Sequence, residues 1–139
     1  MVAVYELPVT VVAADIDANG HMNNAVYFRH LQDAAVAHWY AVFPEERAAP
    51  TAGWVIRRHE IDYRRPALEG DRLLVRTWLG EASAATWERF TRIVRPADGQ
   101  VIAEARTVYV LIDPASGRPR RISSEWKARF PAPPSETVP

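Results

Sequence analysis

The 139-residue sequence contains no cysteine, which excludes a disulfide scaffold, a cysteine nucleophile and any thiolate metal site. It also carries no net charge: seventeen Lys and Arg balance seventeen Asp and Glu. The basic field of a dedicated nucleic-acid binder is therefore missing. No uninterrupted apolar stretch approaches the roughly 18 residues that a membrane span needs. The apolar start, Met1 to Ala14, has no Lys or Arg, carries Glu6 and Pro8, and runs directly into Asp15. That is not the layout of a secretory leader, and together these absences point to a cytoplasmic protein. The motifs G-x-S-x-G, H-E-x-x-H, the P-loop and G-x-G-x-x-G are absent too, so nothing implies a serine elbow, a metal or a nucleotide cofactor.

What is there fits one globular domain. Hydrophobic residues make up 48% and charged residues 24%, close to the averages for a soluble fold, and the length allows a single core. Residues 1–130 form that domain. Pro131 to Pro139 is Pro-rich and reads as a loose tail.

Residues 4–12 are β-prone, and Pro8 in their middle marks an edge or irregular strand. After a polar loop, Phe28, Leu31, Ala35, Trp39 and Val42 recur at spacings of three and four, the period of one helix face. Asn23 or Asn24 is placed to cap this helix, and Pro44 to end it. From Gly53 the period changes to two: Val55, Arg57, His59, Ile61 and Tyr63 alternate with Ile56, Arg58, Glu60, Asp62 and Arg64, the pattern of a strand. Pro66, Gly70 and Asp71 mark a turn. Three further strands follow at about 72–82, 85–96 and 100–113, with a hairpin turn at 97–99. Residues 122–130 read as a short helical piece. The order β-α-β-β-β-β, with one helix of about 18 residues on a mostly antiparallel sheet, predicts an α+β domain.

The segment from Asp15 to Tyr27 gathers two carboxylates, a His and two Asn in a Gly-containing loop that ends at a helix N-terminus. The first turn of that helix offers unpaired N–H groups and the positive end of the helix dipole, which stabilise a carbonyl oxygen gaining negative charge. A nearby carboxylate can accept a proton from water or attack a carbonyl carbon. The combination suits acyl transfer. Asp and Asn are also enriched in loops and caps for conformational reasons, and spacing alone favours that reading. Asp15 is a candidate for merely orienting the loop, and His21 for a structural hydrogen bond.

The run Asp15-x-Asp17-x-x-Gly20-His21-Met22-Asn23-Asn24-x-x-Tyr27 resembles the signature D-x-D-x-x-G-H-V-N-N-x-x-Y of the 4-hydroxybenzoyl-CoA thioesterase-like branch of the hotdog family. Ile61-Asp62-Tyr63-x-x-Pro66-x-x-x-Gly70-Asp71 is similar to that family's strand and turn. Ala85 to Phe90 and Val108 to Asp113, with Gly117 and Pro119, extend the likeness, which covers about residues 4–122. The resemblance implies a hotdog fold, a long helix wrapped by a curved antiparallel sheet. It also implies a homodimer or dimer of dimers with sites at the subunit interface, and acyl-CoA as substrate. No cofactor is implied beyond the coenzyme A of the substrate. It assigns Asp17 as catalytic general base or nucleophile and the backbone N–H at or next to Asn24 as the group polarising the thioester carbonyl. His21 and Asn23 become supporting residues, with Asn23 orienting Asp17, while Tyr27 contacts the site or packs. Met22 stands where the family has Val.

Thioester hydrolysis needs no triad, because the carbonyl is weakly stabilised by resonance and the thiolate leaves easily. The CoA phosphates call for Arg or Lys at a pocket mouth. Arg57, Arg58, Arg64, Arg65, Arg89, Arg118, Arg120 and Arg121 are candidates, with Arg64 and Arg65 favoured. Trp39, Trp54, Trp78, Trp87 and Trp126 read as core or interface residues, and Trp54 with Phe28 as lining of the acyl pocket. The competing functions are a non-catalytic acyl-binding or assembly module and a hotdog dehydratase or hydratase, whose helix motif is not seen here.

Overall fold

The change from period two to period three or four and back sets the architecture. The computed structural model describes residues 3–130. Its strands are β1 (Tyr5–Thr10), β2 (Gly53–Tyr63), β3 (Arg72–Ala82), β4 (Thr86–Arg95) and β5 (Gln100–Ile112), and its helices are α1 (Asn24–Val42), α2 (Glu45–Ala48) and α3 (Ser124–Ala128). The segment assigned to the tail, 131–139, lies outside the described residues.

The five strands form one antiparallel sheet in the order β1-β3-β4-β5-β2. Pro8 sits in edge strand β1 opposite Leu74, a place where its missing N–H removes no interior bond. β3, β4 and β5 follow one another as hairpins, and Gly99 takes φ +68 in the last turn. β1 and β2 lie at opposite edges, so the chain between them has to cross the sheet, and α1 is that crossing. Among the described residues β2 pairs with β5 alone, and none of them forms a strand on its outer N–H and C=O groups.

α1 buries Val26, Tyr27, His30, Leu31, Ala34, Ala35, His38 and Val42. This corrects the face expected from sequence: the buried stripe is turned by roughly a quarter of a turn at 100° per residue, so Phe28 and Trp39 lie on its flank. The reason is that α1 carries two apolar stripes. Ala34, fully buried, lets the helix come close to the sheet, while Phe28 and Trp39 reach sideways to His59 and Trp54 on β2. His30 has no hydrogen-bond partner for either ring nitrogen among the described residues. Burial, then the Arg29 charge, holds its pKa below the usual range.

One core cluster lies under the first half of α1, with Met22, Tyr27, Leu31, Val75, Ile93 and Ile102. A second lies at the other end, where Trp87, Leu111 and Ile122 meet Trp54, Trp126 and Phe130. Ser123 caps α3 by accepting from the Trp126 amide. Buried Glu46 accepts from the amides of Thr51 and Ala52 at 2.8 and 3.1 Å, which fixes how the chain enters β2.

Candidate functional site

The Asp15 to Tyr27 segment becomes a braced loop. Asp15 is only 4% exposed; its Oδ2 accepts from the Val12 amide and its Oδ1 from Arg29 Nη2, both at 3.1 Å. Burial pushes this carboxyl up, but the Val12 amide and the Arg29 guanidinium outweigh that and hold its pKa below the usual value. Asp15 thus ties the loop to α1.

The next residues fold back on themselves. The Asp17 amide donates to the His21 carbonyl and the Gly20 amide to the Asp17 carbonyl, both at 3.0 Å, and Ile16 and Met22 form a bridge. Gly20 takes φ +77, a left-handed conformation that glycine adopts without strain. The Met22 amide then reaches the Ala67 carbonyl and the Asn23 amide the Asp15 carbonyl, each at 2.8 Å. Four backbone hydrogen bonds therefore hold the turn just ahead of the helix.

Asp17 is half-buried. Its Oδ1 accepts from the Asn19 amide at 2.9 Å, which fixes the side chain, and no cation pairs with it among the described residues. Asn23 is the cap of α1: its Oδ1 accepts from the Ala25 amide at 2.9 Å. That is the hydrogen bond its side chain makes, and among the described residues none joins it to Asp17. The Val26 amide is taken by the Asn23 carbonyl. The Asn24 amide has no acceptor among the described residues and is the open donor of the first turn. The His21 ring is exposed and makes no hydrogen bond among the described residues.

Tyr27 is buried in the first core cluster, edge-on to Tyr63 with ring centres 5.1 Å apart. Burial raises its pKa. The Tyr63 hydroxyl donates to the Asn24 carbonyl at 3.4 Å, so the far end of β2 touches the start of α1. Phe28 stands edge-on to His59 at 4.9 Å.

A cleft of about 250 Å³ opens at the other end of β2, lined by Gln32, Val36, Trp39 and Tyr40 of α1 and by Trp54, Trp87, Arg89 and Tyr109 of the sheet. Trp54 belongs to it and Phe28 does not. Gln32 to Tyr40 lie about two to four turns, roughly 12–24 Å, along α1 from Asn24. Within one chain, the loop and the cleft are therefore at opposite ends of the helix.

Arg64 is held by Glu104 at 2.8 Å, whereas Arg65 is exposed and makes no ion pair among the described residues. The backbone amides of both reach the Ile102 carbonyl. Arg58 pairs with Glu60, Arg120 lies over Trp126, and Arg57, Arg118 and Arg121 are exposed. Arg89 is corrected as a surface candidate, being only 6% exposed beneath α1. Its burial was readable in the alternation of β4, where Trp87, Arg89, Thr91 and Ile93 all fall on the inward face. Among the described residues no group of three His, Asp or Glu is placed to hold a metal ion, and no helix is long and apolar enough to cross a membrane.

A carboxylate without a counter-ion and an unfilled helix-start amide, carried by one braced turn, are groups of the kind that activate water or attack a carbonyl and that stabilise an oxyanion. Comparison with known proteins shows the family. The profile of the Thioesterase-like superfamily matches residues 11–130. The long-chain acyl-CoA thioesterase FadM of Escherichia coli K12 is 25% identical over 119 residues, covering 83% of this chain and 88% of that protein. The acyl-CoA thioester hydrolase YbgC of Escherichia coli O6:H1 is 25% identical over 130 residues, 91% and 95% of the two chains. Among solved structures, a thioesterase of Thermus thermophilus complexed with coenzyme A and Zn superposes with TM-score 0.77 at 25% identity, over 91% of each chain. The fold is the α+β hotdog fold.

Proposed function

This chain belongs to the thioesterase-like superfamily, and on that footing we propose that it hydrolyses an acyl-CoA to a free acid and CoA. Asp17 is the catalytic carboxylate and the Asn24 amide polarises the thioester carbonyl. The observation that carries the reading is the half-buried Asp17 carboxylate, fixed by Asn19 and without a paired cation among the described residues, in the turn that leads into the open amide. Within the superfamily, the likeness of the D-x-D-x-x-G-H-M-N-N run to the 4-hydroxybenzoyl-CoA thioesterase-like signature supports membership of that branch.

As general base, Asp17 takes a proton from water, and the hydroxide formed adds to the carbonyl carbon. The negative charge on the carbonyl oxygen points to the Asn24 N–H and the positive end of the helix dipole. Collapse re-forms the carbonyl and breaks the C–S bond, and the departing thiolate takes up the proton. As nucleophile, Asp17 expels the thiolate first and gives an anhydride that water opens. His21 supports the water and Asn23 keeps the amides aimed. Neither route needs a cofactor beyond the coenzyme A of the substrate.

The site is shared by two copies. An antiparallel pair formed across the free edge of β2 sets the Trp54 end of one strand beside the Tyr63 end of the other. Because Tyr63 touches Asn24, this brings the cleft to the open amide of the partner subunit. It also covers Val36 and Val55, exposed by 49% and 44%, as an unpaired apolar edge requires. Trp54 then lines the acyl pocket, Tyr27 and Phe28 flank it, and Arg65, with Arg64 beside it, faces the CoA phosphates. The cysteine-free sequence fits a cytoplasmic location.

Free-thiol release from a panel of acyl-CoA thioesters, wild type against Asp17→Ala, tests the reading. A loss of about 10²–10⁴-fold is expected for a positioned acid or base. Equal activity in the two proteins removes Asp17 from the mechanism.

A further inference from the structure

Among the described residues Arg89 is the one buried guanidinium, and it lies under α1. It is 6% exposed and forms part of the cleft wall. Its Nη1 donates to His38 Nδ1 at 3.0 Å and to Thr77 Oγ1 at 2.9 Å. Arginine has no acceptor, so His38 Nδ1 is the lone-pair partner. Thr77 spends its own hydroxyl proton on the Phe90 carbonyl at 2.9 Å, which leaves its oxygen to accept. The group is therefore held in a fixed orientation by neutral partners, and no carboxylate reaches it among the described residues.

A buried charge without a counter-charge is costly, and an apolar side chain of similar volume fills such a place better. Something has to offset that cost. The Nε and Nη2 donors have no acceptor among the described residues, and neither is among the atoms sealed from contact. Together they form the side of the guanidinium fork that accepts a carboxylate in two parallel hydrogen bonds. Burial pulls the Arg89 pKa down to about 10, which still leaves it cationic at neutral pH.

The rest of the cleft says what carries the anion. Its walls are the rings of Trp39, Tyr40, Trp54, Trp87 and Tyr109, and its volume of about 250 Å³ lies below the roughly 300 Å³ at which pockets for larger ligands begin. A single ring or a short chain fits. We propose that the cleft takes a compact acyl group bearing a carboxylate at the end remote from the thioester, and that Arg89 is the residue that selects it. This deepens the acyl-CoA hydrolase reading and rests on it.

The test uses matched pairs of thioesters: 4-carboxybenzoyl-CoA against 4-methylbenzoyl-CoA, and glutaryl-CoA against pentanoyl-CoA. The expected result is a wild-type kcat/KM at least tenfold higher for the carboxylated member of at least one pair, with that ratio falling at least tenfold in Arg89→Met. Arg89→Lys, which keeps the charge but loses the fork, is expected to fall between them and serves if Arg89→Met does not fold. Calorimetric binding of terephthalate against 4-methylbenzoate to the wild type gives a second readout that needs no turnover. A wild type that hydrolyses and binds the neutral members as well as the charged ones overturns the inference, as does an unchanged ratio in a folded Arg89 variant. Absence of thiol release from every thioester sinks the hydrolase reading instead, and the binding preference still decides the role of Arg89.

Discussion

Asp15 and Arg29 meet at 3.1 Å with opposite exposures, the carboxylate 4% and the guanidinium 56% open to solvent. The pair joins the loop to the second turn of α1, and its strength comes from the buried member. The Asp15 pKa lies below its ordinary 3.8, so its contribution to stability is complete above that value and is lost as pH falls through the folded value. Asp15→Asn is expected to lower unfolding free energy by about 1–2 kcal/mol near neutral pH, as for loss of a charge-assisted hydrogen bond. Denaturant midpoints should converge with those of the wild type once the pH has fallen through the folded value of Asp15. A gap that stays constant into acid would show that the ion pair contributes nothing.

Asn23 fills the Ala25 amide and leaves the Asn24 amide open. Asn23→Ala should cost about 1 kcal/mol of stability, the usual effect of losing an N-cap. It should also reduce kcat, because two open amides instead of one blur the position of the carbonyl. Asn23→Asp, which keeps the accepting oxygen, should restore the thermal midpoint. A normal kcat in a destabilised Asn23→Ala would confine this residue to capping.

Val55 stands exposed on the free edge of β2. Val55→Asp puts a carboxylate beside the Asp62 end of the other copy's strand in the pairing proposed above and should convert the proposed dimer into a monomer, measured by light scattering, with most thiol release lost. Like charges facing each other across strands are destabilising. A wild type that is monomeric and active would separate catalysis from pairing.

The strands and the cap were legible because their signals are local. The strand Gly53–Tyr63, the Ala-Asp-Gly turn at 97–99 and the Asn23 cap each depend on residues a few positions apart, although the even alternation expected from Val55 to Tyr63 is broken by a bulge between Ile56 and Arg58, which turns the two halves of the strand to opposite faces. The face of α1 was harder to read, since Phe28 and Trp39 are as apolar as Leu31 and the helix touches both the sheet face and the β2 side. The Asp15 to Arg29 pair joins residues 14 apart, a spacing that corresponds to no local rule. The aromatic cleft draws on α1, β2, β4 and β5 at once, so no stretch of sequence spells it out. The inward place of Arg89 followed the β4 alternation, but a charged residue reads as solvated until its neighbours are known.

The braced turn has one more consequence. Residues 15 to 25 lock together largely through their own backbone, with Val12, Arg29, Tyr63 and Ala67 as outside ties, whereas the cleft is assembled from side chains of other stretches. Exchange of a tryptophan or arginine in the cleft leaves the bond-breaking atoms where they are. Descendants of this chain can therefore change diet without rebuilding the blade.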